Sequence, residues 1–96
     1  DERLKDNITR ITSALDKVDR IGGYTFNWND KANPLLLKHH YNDVGVIAQE
    51  VEEVMPEAVV DRDDGYKAVR YERLVPLLIE SIKELRAEIE ELKKSR

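Results

Sequence analysis

Lys5 is one side chain in this 96-residue sequence that could take part in proton transfer. A lysine acts as a general base when burial lowers its pKa enough to leave the amine neutral. Lys5 stands near the start of a segment with helical spacing, which would hold it in a defined orientation. Taken by itself, a solvated surface lysine is the simpler interpretation.

Two pairs of neighbouring polar residues could also have either a functional or a purely structural role. His39 and His40 could serve acid–base chemistry or a pH response, but two half-exposed loop histidines are the simpler interpretation. Gln49 and Glu50 could orient a partner group, and a polar outer helix face explains them equally well. The sequence alone does not choose a function from these pairs.

A cluster of acidic residues raises the question of a metal site. Asp61, Asp63 and Asp64 resemble part of a calcium loop, yet the glutamate that closes an EF-hand loop is missing in register, so we expect a solvated turn. With no cysteine and only two histidines, Cys-based zinc sites and His cages are excluded as well. We expect neither a metal nor a cofactor.

The charge and hydropathy of the chain limit its partners. The net charge is −4 and 38% of the residues are charged, which argues against a nucleic-acid partner. No apolar run approaches the roughly 18 residues that cross a bilayer, so we expect no membrane partner. A chain of this size without disulfides often gains stability by self-association.

Two amphipathic helices are predicted to position these groups. Residues 4–18 carry apolar side chains at 4-3-4-3 spacing, which predicts one continuous helix that ends at the two glycines of 21–23. Residues 44–54 predict a second helix, with Asn42 or Asp43 as N-cap and Pro56 after its end. The apolar stripe of the first helix consists of Leu4, Ile8, Ile11, Leu15 and Val18.

Short strands are predicted between and after these helices. Residues 24–28 alternate aromatic and polar side chains, which is typical of a strand. A long tip is expected between Trp28 and Val44. Residues 57–60 and 66–70 are predicted to form a hairpin whose turn contains Gly65 at positive φ.

A long helix is predicted from about residue 72 to residue 94, with Pro76 in its first turn. Its heptad pattern and its uniformly charged outer face favour a coiled coil over a helix docked on its own domain. Isoleucine at a positions with leucine at d positions normally favours two strands. The predicted oligomerisation residues are Val75, Leu78, Ile82, Leu85, Ile89 and Leu92.

Four stretches resemble the C-terminal intramolecular chaperone domains of bacteriophage tailspikes and tail fibres, including endosialidase tailspikes. An animal membrane-anchored transcription factor that trims itself carries a similar domain. The stretches occur in the order of that family and cover most of the chain. They are DERLKDNI at 1–8, YTFNW at 24–28, VGVIAQEVEEVMPEAV at 44–59 and YKAVRYERLVPLLIESIKEL at 66–85.

The resemblance implies a homotrimer at the C-terminal end of a fibre, which helps the fibre to fold and then cuts itself off with a serine and a lysine. The family motif is a serine, Asp or Asn, three further residues and a lysine. Asp1 matches the second position and Lys5 matches the lysine, so the serine would precede Asp1. Asp1 would then be a new amino terminus, and the released piece, which lacks the serine, should be inactive.

The geometry of such a cut favours attack between chains. A serine that attacked its own carbonyl would close a strained four-membered ring, whereas a serine of a neighbouring chain would not. With Lys5 as general base, cleavage would therefore wait for assembly.

These observations together predict an α+β fold with a globular region at 1–70 and a trimeric coiled-coil helix at 71–96. The resemblance favours three strands over the two that the a/d pattern suggests. It also implies action in the host cytoplasm during virus assembly and absence from the mature virion. The alternatives are a coiled-coil oligomerisation module without proteolysis and a signalling adaptor that binds partner helices.

Overall fold

Three α-helices and four short strands form the part of the chain that the computed structural model describes, residues 1–29, 31–32 and 42–95. Short 3-10 turns occupy Glu2–Leu4, Pro56–Ala58 and Tyr71–Leu74. The predicted mixture of helices, short strands and a long C-terminal helix is confirmed. In chain order the elements are α1 (Ala14–Asp19), β1 (Tyr24–Asn27), β2 (Asn42–Gly45), α2 (Ala48–Val54), β3 (Val59–Asp61), β4 (Lys67–Val69) and α3 (Val75–Lys94).

The first predicted helix is much shorter than its apolar pattern suggested. Only Ala14–Asp19 is α-helical, and the segment before it is a 3-10 turn followed by irregular chain. Asn7 and Ser13 both have positive φ, which interrupts a right-handed helix. Helices this short depend on tertiary packing for stability, and Leu4 and Ile8 find none, with 86% and 66% of their surfaces exposed.

The second helix starts at Ala48 and not at residue 44 as predicted, because the chain up to Gly45 forms a strand instead. Asn42–Gly45 pairs antiparallel with Tyr24–Asn27, with Tyr24 opposite Gly45. A valine on either side of Gly45 suits an extended strand better than a helix interior. The N-cap is Ile47 rather than Asn42 or Asp43, and the helix ends just before Pro56, as predicted.

The predicted hairpin after Pro56 is confirmed. Val59–Asp61 pairs antiparallel with Lys67–Val69, and Gly65 in the turn has φ of +89°. A glycine takes this conformation without the steric cost that a Cβ would add. The two hairpins form separate two-stranded sheets.

The core lies where the three helices meet. Ala14 from α1, Val51 from α2 and Leu77 from α3 are fully or almost fully buried, and Ala58 and Leu74 complete the cluster. The long helix α3 is rich in good helix formers, has Pro76 at its start and has two lysines in its last turn, where they complement the helix dipole. Packing on this core fixes the helix against the rest of the domain.

Candidate functional site

An exposed apolar stripe runs along most of α3. Between 45% and 67% of the surface of each member is accessible to solvent. The stripe is therefore not the face by which the helix packs on its own domain, which was the alternative to a coiled coil. Its members are the six residues at the predicted a and d positions, Val75, Leu78, Ile82, Leu85, Ile89 and Leu92.

A different face of α3 packs on the domain. Leu77 of α3 and Leu74 in the turn before it are buried in the core, and Ser81 is buried with its hydroxyl donating to the Leu77 carbonyl at 2.8 Å. At 100° per residue, this inner face lies about a quarter turn from the centre of the stripe. One face of α3 therefore packs on the core of the domain, while the stripe on another face stays exposed to solvent.

Glu84 extends the inner face and caps another helix. Its carboxylate accepts hydrogen bonds from the backbone N–H groups of Ala14, at 2.8 Å, and Leu15, at 3.0 Å. These bonds, Leu15 first, hold the pKa of Glu84 below its ordinary value. Ser13, the local N-cap residue, makes no side-chain capping bond. The start of α1 is therefore satisfied by α3 instead of by its own sequence.

The N-terminal arm, residues 1–13, holds both residues of the predicted cleavage motif. Residues 1–10 are all exposed. Asp1 accepts from the backbone N–H and the guanidinium of Arg3, and Lys5 follows this turn in extended backbone. Among the described residues, no ion pair includes Lys5. In a single chain, Asp1 and Lys5 therefore lie on an exposed segment, with no buried site around them.

Glu50 forms a second hydrogen-bonded junction, which the sequence pattern did not reveal. Its carboxylate accepts from the Gly22 N–H at 3.0 Å and from the Tyr24 hydroxyl at 2.8 Å. The bond to Glu50 raises the pKa of Tyr24, because the carboxylate favours the protonated phenol. Glu50 thus ties α2 to the start of β1. The sequence signals were two glycines followed by a tyrosine, which we interpreted only as a helix end.

Aromatic residues line the hairpin that leads to the predicted tip. Phe26 and Trp28 pack edge to face with ring centroids 5.1 Å apart, and the Trp28 indole donates to Asp43 at 3.1 Å. The middle of the tip, with its leucines and with His39 and His40, lies outside the described residues. The structure therefore gives the base of the tip and not its end.

The acidic turn has contacts of its own. The Lys67 ammonium bonds Asp61 at 2.7 Å and Glu52 at 2.9 Å, and these bonds, Asp61 first, raise the pKa of the lysine. Asp64 pairs with Arg62 and caps the Tyr66 N–H. Across the described residues, no three His, Asp or Glu side chains are grouped to hold a metal ion.

The helices of the described segments include none with the length and hydropathy needed to cross a bilayer.

Comparison with known proteins adds the family context. The family model described as Chaperone of endosialidase matches residues 1–60. The chain is 36% identical over 96 residues to the long tail fiber protein Gp37 of Enterobacteria phage K3, and the match covers 96% of this chain and 8% of that protein. It is 35% identical over 97 residues to Gp37 of Salmonella phage S16, covering 98% and 13%.

A third relative is Gp37 of Enterobacteria phage M1, which is 37% identical over 102 residues, covering 97% of this chain and 38% of that protein. The chain thus spans between 8% and 38% of the length of these three relatives. It corresponds to a limited part of a much longer fibre protein in each of them.

Proposed function

Because this chain belongs to the chaperone of endosialidase family, we propose that it assists the folding and assembly of a bacteriophage tail fibre. The observation that carries the proposal is the similarity, along almost the whole chain, to long tail fiber proteins. Fibres built from intertwined β-structure fold slowly and expose strand edges that aggregate. A domain that folds early and brings the chains together counteracts both problems.

We propose that three chains associate through the stripe of α3. The stripe leaves six large apolar side chains in water, and pairing them removes that surface from solvent at about 25 cal/mol per Å². Association also raises the local concentration of the fibre ends. The family resemblance, and not the a/d pattern, supports three strands over two.

Self-cleavage just before Asp1 is the second part of the proposal. The motif residues Asp1 and Lys5 support it, with a serine before Asp1 as nucleophile and Lys5 as general base. Lys5 would take the proton of the serine hydroxyl and pass it to the Asp1 amine as the peptide C–N bond breaks, and water would then hydrolyse the ester formed on the serine. The exposed arm supports attack between chains, because a single chain leaves Lys5 in solvent. Docking of neighbouring chains would bury Lys5 and align it with the scissile bond.

The timing and the place of action follow from this scheme. The domain would act in the host cytoplasm during virus assembly and be absent from the mature virion. Loss of the domain would make fibre assembly one-way, since the folding template is gone. The tip between Trp28 and Val44 is the proposed contact with the end of the fibre, because the exposed Trp28 ring at its base suits apolar surface on a folding fibre.

A fibre precursor that includes this domain and the residue before Asp1 tests the chaperone role. Ile82→Glu places a charge in the stripe, and Ala87→Glu, which adds the same group at an exposed position off the stripe, is the matched control. We expect Ile82→Glu to abolish soluble trimeric fibre and Ala87→Glu to leave its yield unchanged. Normal fibre yield from Ile82→Glu would contradict assembly through the stripe.

The alternative is a coiled-coil oligomerisation module without proteolysis, which the exposed stripe alone would satisfy. Lys5→Ala in the same precursor separates the two functions. Self-cleavage requires that this variant assembles but does not release a fragment beginning at Asp1. Release at the wild-type rate would remove Lys5 from the chemistry and leave the oligomerisation module as the better description.

A further inference from the structure

Glu84 joins the helix that carries the stripe to the end of the N-terminal arm. Its carboxylate binds the first two backbone N–H groups of α1, and the arm leaves the domain immediately before them. The contact joins residues about 70 positions apart in sequence. Glu84 therefore fixes, together with the burial of Ala14, where along α3 the arm begins.

Glu84 lies at the same level along α3 as the middle of the stripe, but on the inner face. At 100° per residue it is about 100° around the helix from Leu85 and about 160° from Ile82, so its side chain faces the domain and not the stripe. A neighbouring chain that packs on Leu85 would therefore lie at the same level along α3 as the start of α1. The capping bonds and the proposed interface thus occupy the same turns of the helix.

The arm has the length that contact with a neighbour requires. Lys5 lies nine residues before Ala14, so an extended arm reaches at most about 30 Å from Glu84. Packed helices have axes about 8–10 Å apart. An arm that starts at Glu84 can therefore extend across an adjacent helix and meet the cleavage segment of another chain.

Local features of α1 do not replace this anchor. Ser13 has φ of 53° and ψ of 41°, and its side chain makes no capping bond. An N-cap residue normally has extended backbone and bonds the next turn itself. Without Glu84, the first N–H groups of α1 would lose their acceptors, and only apolar packing around Ala14 would hold the end of the arm on α3.

From this geometry we infer that Glu84 is a positioning residue for self-cleavage, and this inference rests on the function proposed above. By holding Ala14 and Leu15 on α3, Glu84 fixes the direction in which the arm leaves the helix. Association of the stripes then delivers Lys5 of one chain to the scissile bond of its neighbour. Glu84 acts through the arm and does not touch the reacting atoms.

The test measures the rate of fragment release in the fibre precursor. Glu84→Ala removes both capping bonds, and Glu88→Ala, one turn further along α3 at an exposed position, is the matched control. We expect Glu84→Ala to slow release by about tenfold or more while trimers still form, because alignment of reacting groups is lost. Release within about twofold of the wild-type rate would overturn the inference.

If Glu84→Ala does not form trimers, Glu84→Gln decides, because its amide keeps the shape and one acceptor oxygen. We expect release to slow by about threefold or more in assembled Glu84→Gln trimers. A wild-type rate would overturn the inference. Amide hydrogen exchange at Ala14 and Leu15 should accelerate in both variants, which reports the loss of the anchor directly.

A purely structural role for Glu84 is distinguished by Val54→Ala, which truncates a buried side chain of α2 and leaves the capping bonds in place. Assembled trimers of this variant should release the fragment within about twofold of the wild-type rate although their melting temperature falls. Release that slows as much as in Glu84→Gln would reduce Glu84 to a contributor to stability and overturn the inference.

Lys5→Ala, measured in parallel, separates the proposed self-cleavage chemistry from the positioning role of Glu84. Normal release from Lys5→Ala contradicts the proposed chemistry itself. Loss of release from Lys5→Ala, together with normal release from Glu84→Ala, contradicts only the positioning role.

Discussion

The Tyr71 hydroxyl accepts a hydrogen bond of 3.1 Å from the backbone N–H of Val46, which joins the turn before α3 to the end of β2. Gly45 provides the room for this contact, since a Cβ at that position would lie 2.5 Å from the Tyr71 oxygen. The hairpin that leads to the tip is therefore attached to the root of the helix that carries the stripe. The proposed fibre contact and the proposed trimer contact thus share one rigid junction.

Tyr71→Phe should loosen this junction. The Val46 N–H loses its acceptor while the ring stays in place, so we expect a loss of about 0.5–1.5 kcal/mol in the free energy of unfolding. Denaturant unfolding monitored by circular dichroism measures the total loss. Amide exchange at Val46 locates it.

Tyr66→Phe is the matched control for that experiment. The two tyrosines are similarly exposed, at 52% for Tyr71 and 55% for Tyr66. An equal loss of stability in both variants would show that the hydroxyl of Tyr71 has no special role at the junction.

The fold could be predicted from the sequence wherever a pattern and its packing partner were local. The hairpin after Pro56 needed only its turn residues and short strands, and α3 needed only its propensity and heptads. Residues 4–13 show the opposite case, because Leu4 and Ile8 have helical spacing but stay largely exposed among the described residues. Periodicity predicts which side chains could share a face, and only packing determines whether the helix forms.

The site divides in the same way. The stripe was predicted residue by residue, because an exposed heptad face is a property of one helix. Glu50 and Glu84 were missed as junction residues, since each bonds backbone groups that are distant in sequence and have no side-chain signature. The role of Lys5, the role of the stripe in oligomerisation and the division at residue 70 stay predictions, because the structure of a single chain tests none of them.

Gly22→Ala should disrupt the junction at Glu50. A Cβ on Gly22 would lie 2.4 Å from the Tyr24 hydroxyl and ring, so the tyrosine side chain must move, and we expect this movement to break its bond to Glu50. We expect the pKa of Tyr24 to fall towards its ordinary value of 10.0, because the hydrogen bond to the carboxylate is what raises it. Ultraviolet titration of the variant, with Tyr24→Phe to assign the signal, measures this change.

Gly23→Ala provides the control at the neighbouring position. A Cβ there would meet no atom within 4 Å. Stability should stay the same or rise slightly, since alanine restricts the unfolded chain. If both alanine variants left the Tyr24 titration unchanged, close packing at Gly22 would not hold the tyrosine on Glu50.

Leu77→Ala and Leu78→Ala should affect different properties although the residues are adjacent. Leu77 is 1% exposed, so its truncation should reduce the free energy of unfolding by about 2–5 kcal/mol. Leu78 is 47% exposed, so its truncation should mainly weaken association between chains. Urea unfolding measures the first effect, and sedimentation over a range of protein concentrations measures the second.

Two results would contradict this division between core and stripe. If Leu78→Ala lowered the stability of the single domain as much as Leu77→Ala, the stripe would belong to the core. If Leu78→Ala left the concentration dependence of sedimentation unchanged, the stripe would not carry the association.

The capping bonds of Glu84 should make the stability of the fold depend on pH. The pKa of Glu84 in the folded domain lies below its ordinary value of 4.5, because the carboxylate accepts from Leu15 and Ala14. A carboxylate of this kind stabilises the fold fully above its unfolded pKa and loses that contribution as the pH falls through its folded pKa. Glu84→Gln should therefore lower the melting temperature near neutral pH and flatten its decline in acid.

Melting temperatures of the wild type, Glu84→Gln and Glu88→Gln from about pH 6 to about pH 3 would measure this linkage. Glu88→Gln removes the same charge from the same helix without removing a capping bond, so its curve should run parallel to that of the wild type. The difference between wild type and Glu84→Gln should be largest at about pH 6 and shrink as Glu84 takes up its proton. A difference that stayed constant or grew towards low pH would mean that the ionised carboxylate does not hold the start of α1.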